Sequence, residues 1–352
     1  MHVIFLKFNL FVLFCIIKKK RYIGKFFNGE PNGEGICMYV NGDQYIGEWD
    51  SGHQHGRGTL RYSHGDVYEG SFYHGFIYGY GKMKYADGGS YDGEFKNVKM
   101  NEKTGIEQPE PDGKRHGIGI RVWTNGNKYV GEWQSDKMNG KGTLSTLEGA
   151  VYSGMFWNGM KHSEATETFG NNIGIRYECP MGRRHSGMGF CTYRGGYKCG
   201  FFHGRGEFVC IDGRKYEGEW LKGKRHGKGR QLFLREGEIG DPYRLFIGGK
   251  GSLYRLKEFV GCWDNDVRQG IGKAVYSNGD ILEGPFVNGQ PHGNLKYTFA
   301  VSHKKRWAEY NHGKRVMWLQ NKSMDATKEV IGWLGRLRAQ IKEEEEEEQF
   351  YQ

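Results

Sequence analysis

The sequence predicts an all-β fold: an elongated, single-layer antiparallel ribbon of repeated β-hairpins with a short C-terminal α-helix. Three observations predict it. Tyrosines recur at a spacing of 23 residues, at Tyr22, Tyr45, Tyr68 and Tyr91. Glycine and aromatic residues recur at fixed offsets from them. Finally, 58 of the 352 residues are Gly and only 7 are Pro, with no Gly-X-Y period that would signal collagen. Aromatic residues make up 15% of the chain, which excludes a disordered Gly-rich linker.

Counting each Tyr as position 1, the period resumes at Tyr129 and Tyr152 and again from Phe259 to Leu282. Position 3 is glycine, as in Gly24, Gly47, Gly70, Gly93, Gly131, Gly154, Gly218, Gly261 and Gly284. Position 5 is aromatic, as in Phe26, Trp49, Phe72, Phe95, Trp133, Phe156, Trp220, Trp263 and Phe286. Positions 12 and 14 are glycine pairs, among them Gly33/Gly35, Gly56/Gly58, Gly140/Gly142, Gly227/Gly229 and Gly270/Gly272. On an extended strand, positions 1, 3 and 5 share one face and leave a bare slot between two rings. Glycine inside a strand costs stability and marks a close approach. The predicted visitor is a ring from a neighbouring repeat, lying flat on the second strand's glycine pair. Tyr45, Trp49, Tyr68, Phe72, Tyr129, Trp133, Tyr216, Trp220 and Trp263 are therefore read as structural aromatics.

The turns complete the hairpins. Asp50-Ser51-Gly52-His53 within a repeat, and Asn41-Gly42-Asp43 or His64-Gly65-Asp66 between repeats, are turn chemistries that need positive φ. Each repeat is then one hairpin, paired edge to edge with the next. With two strands per repeat about 4.8 Å apart, ten repeats predict a rod of roughly 100 Å in which each unit touches mainly its neighbours.

The run Y-x-G-x-W-x-x-G-x-x-H-G-x-G, at Tyr45–Gly58 and Tyr216–Gly229, resembles the MORN (membrane occupation and recognition nexus) repeat, with ten to eleven units from Tyr22 to Tyr310. Over 160–180 the pattern lapses, Tyr197–Gly206 reads as a shortened unit, and the half-unit Trp307–Gly313 lacks the position-3 glycine. The resemblance implies a non-catalytic scaffold linking membrane and cytoskeleton. In several eukaryotic relatives it implies assembly of cilia or flagella and other microtubule-based structures. It also leaves two alternatives: a peripheral protein binding phosphoinositides, and a regulatory subunit of a lipid kinase without activity of its own.

Repeats occupy 22–160 and 216–313, with 161–215 degenerate or shortened. An insertion at 97–114, containing Pro109-Glu110-Pro111-Asp112, interrupts a repeat at its internal turn, and another at 234–258 separates two repeats. Loops of this length are read either as binding elements or as disordered excursions. Residues 1–21 form an apolar stretch broken by Lys7 and Asn9 and followed by Lys18-Lys19-Lys20-Arg21, shorter than the roughly 20 residues of a spanning helix. The readings are a misassigned start, a short membrane anchor with the repeats facing the cytosol, or a secretory signal. Within 323–349, Val330, Ile331, Trp333, Leu334, Leu337 and Ile341 have the spacing of an amphipathic helix. That helix is expected to cover the last sheet edge or to meet a partner, including a second copy, and the Glu343–Glu348 run extends it as an acidic tail.

The formal charge is +10, and the chain outside the Glu343–Glu348 run carries +16, which favours anionic partners. Seven Cys without a C-x-x-C motif indicate a reduced, cytoplasmic chain. Cys179, Cys191, Cys199 and Cys210, near His185 and His203, lack the paired short spacings of a zinc site and read as structural or buried thiols. His55, His226 and His292 repeat at position 11 and also read as structural. The G-x-G pairs are not followed by G-K-[ST], and no H-E-x-x-H, G-x-S-x-G or kinase signature set occurs, so no enzyme, cofactor or metal is expected. Basic residues recur at positions 9, 10 and 13: Arg57, Lys114, Arg115, Lys141, Lys224, Arg225 and Lys228. They predict a row along one edge, either simply solvated or a cationic strip for acidic phospholipids at the cytoplasmic membrane face or for an acidic protein. Near an anionic membrane such a strip gains about 1 kcal/mol per charge. Nucleic acid is not an expected partner, because the rings pack on glycine and leave few stacking platforms. Protein partners of the cytoskeleton or cilium are.

Overall fold

The computed structural model describes residues 20–96, 113–170, 191–233 and 254–319, together with the short strands Val3–Ile4, Leu13–Ile17, Val98–Met100, Glu107–Pro109, Leu245–Phe246 and Leu253–Tyr254. The chain divides into two units, 1–171 and 172–352. All described secondary structure is β-strand, and it is antiparallel. The expected helix within 323–349 lies outside the described residues, as does most of both insertions.

The first unit is a meander in which each long strand pairs with the next in sequence, from Lys20–Phe27 through Gln44–Asp50, His53–Arg61, Val67–Tyr73 and onward to Met160–Phe169. At its start, the backbone of Leu13–Ile17 adds one more strand against Lys20–Phe27. The second unit repeats the scheme from Cys191–Lys198 to Lys314–Trp318. The 97–114 insertion leaves and rejoins the sheet beside the pair Arg115–Phe95, at an internal turn. The insertion expected at 234–258 falls between the paired strands Lys224–Leu232 and Leu256–Asp264, its last three residues, 256–258, belonging to the second strand.

One hairpin explains the rest. Gln44–Asp50 pairs with His53–Arg61 through Ser51 and Gly52, whose φ values of 47° and 80° make a type I′ turn matched to the strand twist. Gly47 faces Gly58, and the register then shifts so that Trp49 faces Gln54. This bulge places surplus residues on the second strand and frees a carbonyl on the first. Tyr45 lies across the glycine pair, where a Cβ on Gly58 would collide with its ring carbons and Oη. Its hydroxyl donates to the freed Glu48 carbonyl at 2.8 Å. The same i to i+3 bond recurs at Tyr22, Tyr68, Tyr91, Tyr129, Tyr152, Tyr193 and Tyr216, between 2.7 and 3.0 Å. The ring over each of these glycine pairs is thus the repeat's own tyrosine, as Phe259 is over Gly261 and Gly272, and the sequence expectation of a neighbour's ring is corrected. A strand side chain leaning along its own strand reaches the unpaired carbonyl three residues on, and this bond selects it over a neighbour's ring.

Neighbouring rings meet the tyrosine edge-on instead. Trp49 stands perpendicular to Tyr45 and to Tyr22 of the preceding repeat, with centroids 5.3 and 5.1 Å away. Phe72 on Tyr45, Phe95 on Tyr68, Trp133 on Tyr91 and Phe156 on Tyr129 continue the ladder. In the second unit it runs through Trp220 on Tyr193 and Trp263 on Tyr216. Each such pair is worth about 0.5–1.5 kcal/mol beyond the area it buries. Where position 5 is Trp, its Nε1 also donates to the position-14 carbonyl of the repeat before, as from Trp220 to Gly206 at 3.1 Å.

Two sequence expectations change. The unit read as beginning at Tyr197 begins at Tyr193: Gly195 pairs with Gly206, and Tyr197 takes the position-5 place at 5.2 Å from the Tyr193 ring. It is a full hairpin, disguised because tyrosine stands where Trp or Phe is usual. Over 160–169 the motif lapses but the strand does not. Ser163 adopts the left-handed φ of 54° otherwise given to glycine, and Ala165 faces Gly154.

Gly58→Ala is expected to destabilise the chain by about 1–3 kcal/mol, because the new methyl displaces Tyr45 in a packed layer. Ile46→Ala, on the opposite, 41%-exposed face, should stay within about 0.5 kcal/mol. Thermal or urea unfolding of the two variants makes the comparison. Burial raises the hydroxyls of Tyr22 and Tyr152 to about 12. Their neutral form is thus favoured by folding. The stabilisation is complete below the ordinary tyrosine pKa near 10 and is lost as pH rises from there toward 12. Alkaline titration followed by circular dichroism and tyrosinate absorbance should show ionisation and strand loss together in that window.

Candidate functional site

With the ring face filled by the ladder, the functional candidates lie on the opposite face and the turn edges. Alternation sends odd positions of the second strand outward. Arg57, Lys141 and Lys228 at position 13, and Lys114 and Lys224 at position 9, are all exposed. Each position-13 cation has an acidic neighbour that the sequence reading missed. The Arg57 amide donates to Glu48 Oε1 at 3.0 Å, the Lys141 amide to Glu132 Oε1 at 3.0 Å, and the Lys228 amide to Glu219 Oε1 at 3.1 Å. The carboxylate fills the space a Cβ on Gly56, Gly140 or Gly227 would take, which is the second reason position 12 is glycine. Position 4 in the sequence, often Glu, was the available signal. Each position-13 cation is accordingly interleaved with an anion.

Arg115 and Arg225, at position 10, belong to the ring face. Arg225 lies over Trp263 at 4.5 Å and its Nε donates to Asp266 Oδ1 at 2.9 Å. Arg115 lies over Trp133 at 4.6 Å and pairs with Asp136 at 2.8 Å. Asp136 and Asp266 occupy the turn position usually held by Gly, with φ of 68° and 72°. Each latch therefore binds a repeat to the next, and each sits beside an insertion: Arg115 begins the strand after 97–114, and Arg225–Asp266 spans 234–258. Of the residues expected from sequence to form the cationic row, Arg57, Lys114, Lys141, Lys224 and Lys228 are exposed, whereas Arg115 and Arg225 turn to the ring face.

The outward faces carry both aliphatic pairs and ion pairs, the first unit also holding Lys82–Asp92 and the second exposed Val260 and Ile271. In the first, Ile23 pairs with Ile36 and Ile36 with Ile46, and Ile120 with Val130. In the second, charges compensate one another: Lys215 meets Glu207 and Glu217, Arg230 meets Glu258 and Lys296 meets Glu283.

Of the cysteines read as structural or buried, Cys210 is buried, Cys191 half-buried and Cys199 exposed; Cys179 lies outside the described residues. His55, His226 and His292 stand at the internal-turn edge, where His292 packs on His312 of the next repeat at 4.9 Å. Among the described residues no group of three or more His, Cys, Asp or Glu is placed to hold a metal ion. Among the same residues no helix is long and apolar enough to cross a membrane.

These hairpins define a class, the single-layer β-repeat protein, and comparison with known proteins supplies the family. The MORN repeat model matches residues 22–44, 45–67, 68–90, 112–128, 129–146, 152–173, 193–213, 216–233, 259–281 and 283–302. The chain belongs to the MORN repeat family. It is similar to human alsin, 29% identical over 159 residues, which is 42% of this chain but 9% of alsin. It is also similar to MORN repeat-containing protein 3 of Xenopus laevis, 34% identical over 79 residues, 19% of this chain and 32% of that protein. The chain thus spans a small part of these relatives' length. Among solved structures, the TCP10 domain of Danio rerio CPAP aligns over 81% of this chain and 99% of its own, at 10% identity and a TM-score of 0.25, a level that carries no argument.

Removing one partner of the Arg225–Asp266 latch is expected to cost roughly 1–3 kcal/mol, with a coupling of at least about 0.5 kcal/mol in a double-mutant cycle. Unfolding of Arg225→Ala, Asp266→Ala and the double variant measures it.

Proposed function

We propose that the chain is a non-catalytic scaffold that links membrane and cytoskeleton, acting in a cilium, flagellum or other microtubule-based assembly. Membership of the MORN family supports the coarse part of this reading. The observation that carries it is the division of labour between the faces. Tyr45, Tyr68, Tyr91, Tyr129 and Tyr216 are 0% exposed and packed into the ladder. Repeated, outward positions are left to vary, and such a surface suits extended contact with proteins.

Binding acidic phospholipid is the second reading, motivated by exposed Arg57, Lys114, Lys141, Lys224 and Lys228. The glutamates beside the position-13 cations weaken it, since a compensated strip attracts an anionic surface less than a bare one. Liposome flotation across salt separates the two. The scaffold reading expects weak binding, without strong preference for anionic lipid, and co-fractionation or proximity labelling with cytoskeletal proteins. Salt-sensitive flotation with anionic vesicles, lost on replacing these five cations by Gln, would establish the lipid reading instead. Absence of cytoskeletal neighbours would sink the scaffold reading.

A further inference from the structure

The repeat that bears the 97–114 insertion breaks a rule kept elsewhere on the ring face. Where positions 10 and 16 both carry long polar side chains, they satisfy each other: Lys161 pairs with Glu167, and Arg225 Nη1 donates to Gln231 Oε1 at 2.8 Å. In this repeat the two positions are Arg115 and Arg121. Arg121 is 7% exposed, between Tyr91 and Tyr129 on the adjoining strands. Its guanidinium lies 3.9 Å from the Tyr85 ring centroid and 6.0 Å from that of Trp123. Its Nε and Nη1 are buried without a hydrogen-bond partner. Arg115 cannot help, being a cation already committed to Asp136. Asp87 and Asp66 are the nearest acidic influences, but Asp87 Oδ1 accepts from Gly89 N at 2.7 Å and Asp66 Oδ1 from Ala86 N at 2.8 Å. A buried cation with vacant donors is costly unless an acceptor arrives from outside.

We propose that Arg121 is a receptor for the carboxylate of an acidic side chain on a protein partner. Two guanidinium donors are unmatched, and because Asp66 and Asp87 already place negative charge nearby, an entering monoanion is opposed less than a phosphate dianion. The rings of Tyr85 and Trp123 frame the guanidinium and suit a carboxylate carried on methylenes. At 7% exposure the guanidinium is out of reach of a flat bilayer, so the site stands apart from the outward cations weighed above and does not depend on the scaffold reading.

The test uses the full chain and a fluorescent hexaglutamate peptide, with hexaglutamine as control, followed by anisotropy. Wild type should bind hexaglutamate in preference to hexaglutamine. Arg121→Glu and Arg121→Gln should weaken it by about tenfold or more, and Lys114→Gln, an exposed cation of the same repeat, should not. Arg121→Glu should melt no lower than wild type, since Glu at 121 would accept from Arg115 as Glu167 does from Lys161. If Arg121→Glu does not fold, Arg121→Gln serves as the binding variant. The proposal is overturned if hexaglutamate does not bind, if Lys114→Gln loses as much as the Arg121 variants, or if those variants lower the melting temperature while leaving binding unchanged. Loss of phosphatidylserine-vesicle binding in Arg121→Gln with peptide binding intact would also overturn it, in favour of lipid.

Discussion

The structure depends on one contact: a tyrosine laid across two side-chain-free residues, with its hydroxyl bonded to a carbonyl that a bulge has released. Each component requires the others. Without the glycines the ring cannot descend, and without the bulge the hydroxyl would be buried without an acceptor, at a cost comparable to a lost hydrogen bond. Without the ring, a glycine-rich two-stranded hairpin would have too little apolar surface to stand in water. The unit needs its neighbours as well, because the position-5 ring closes over the previous repeat's tyrosine. Stability is therefore a nearest-neighbour property, as expected for a repeat array.

The edges carry a second set of links. Along one edge the turn amide of each repeat bonds back to the one before, as Gly52 N to Pro31 O at 3.0 Å and Gly75 N to Gln54 O at 2.8 Å. Along the other, Asp43, Asp66 and Asp280 each accept an amide from the following turn at 2.8 Å. These bonds are local, so an insertion disturbs only the junction where it occurs. At both such junctions an arginine over a tryptophan, paired with an aspartate, reinforces the packing, and a non-glycine φ near 70° is tolerated in return.

Filling one face completely makes the other the place where copies of the repeat differ. It carries isoleucine and valine pairs such as Ile23–Ile36 and Ile120–Val130 and ion pairs such as Lys82–Asp92, Arg230–Glu258 and Lys296–Glu283. Glutamates that serve the bulge also place negative charge beside the position-13 cations, so a count of basic residues overstates the field of this surface. On the filled face, Arg121 keeps two buried guanidinium donors without a partner.

The 23-residue spacing, the turn chemistry and the glycine pairs were enough to establish hairpins, their pairing and their aromatic core, because period-2 geometry and positive φ leave few alternatives. Tyr193 escaped because its repeat substitutes tyrosine at position 5, and 160–169 because Ser163 and Ala165 can stand in for glycine where the surrounding pairing holds the backbone. Which ring lies on which glycine depended on a register shift that residue spacing does not reveal. The fate of the basic residues likewise required three dimensions: Arg115 and Arg225 find their aspartates 21 and 41 residues away, while Arg57, Lys141 and Lys228 point outward. Periodicity dictates which residues can share a face; the bulge and the neighbouring repeat decide which of them touch.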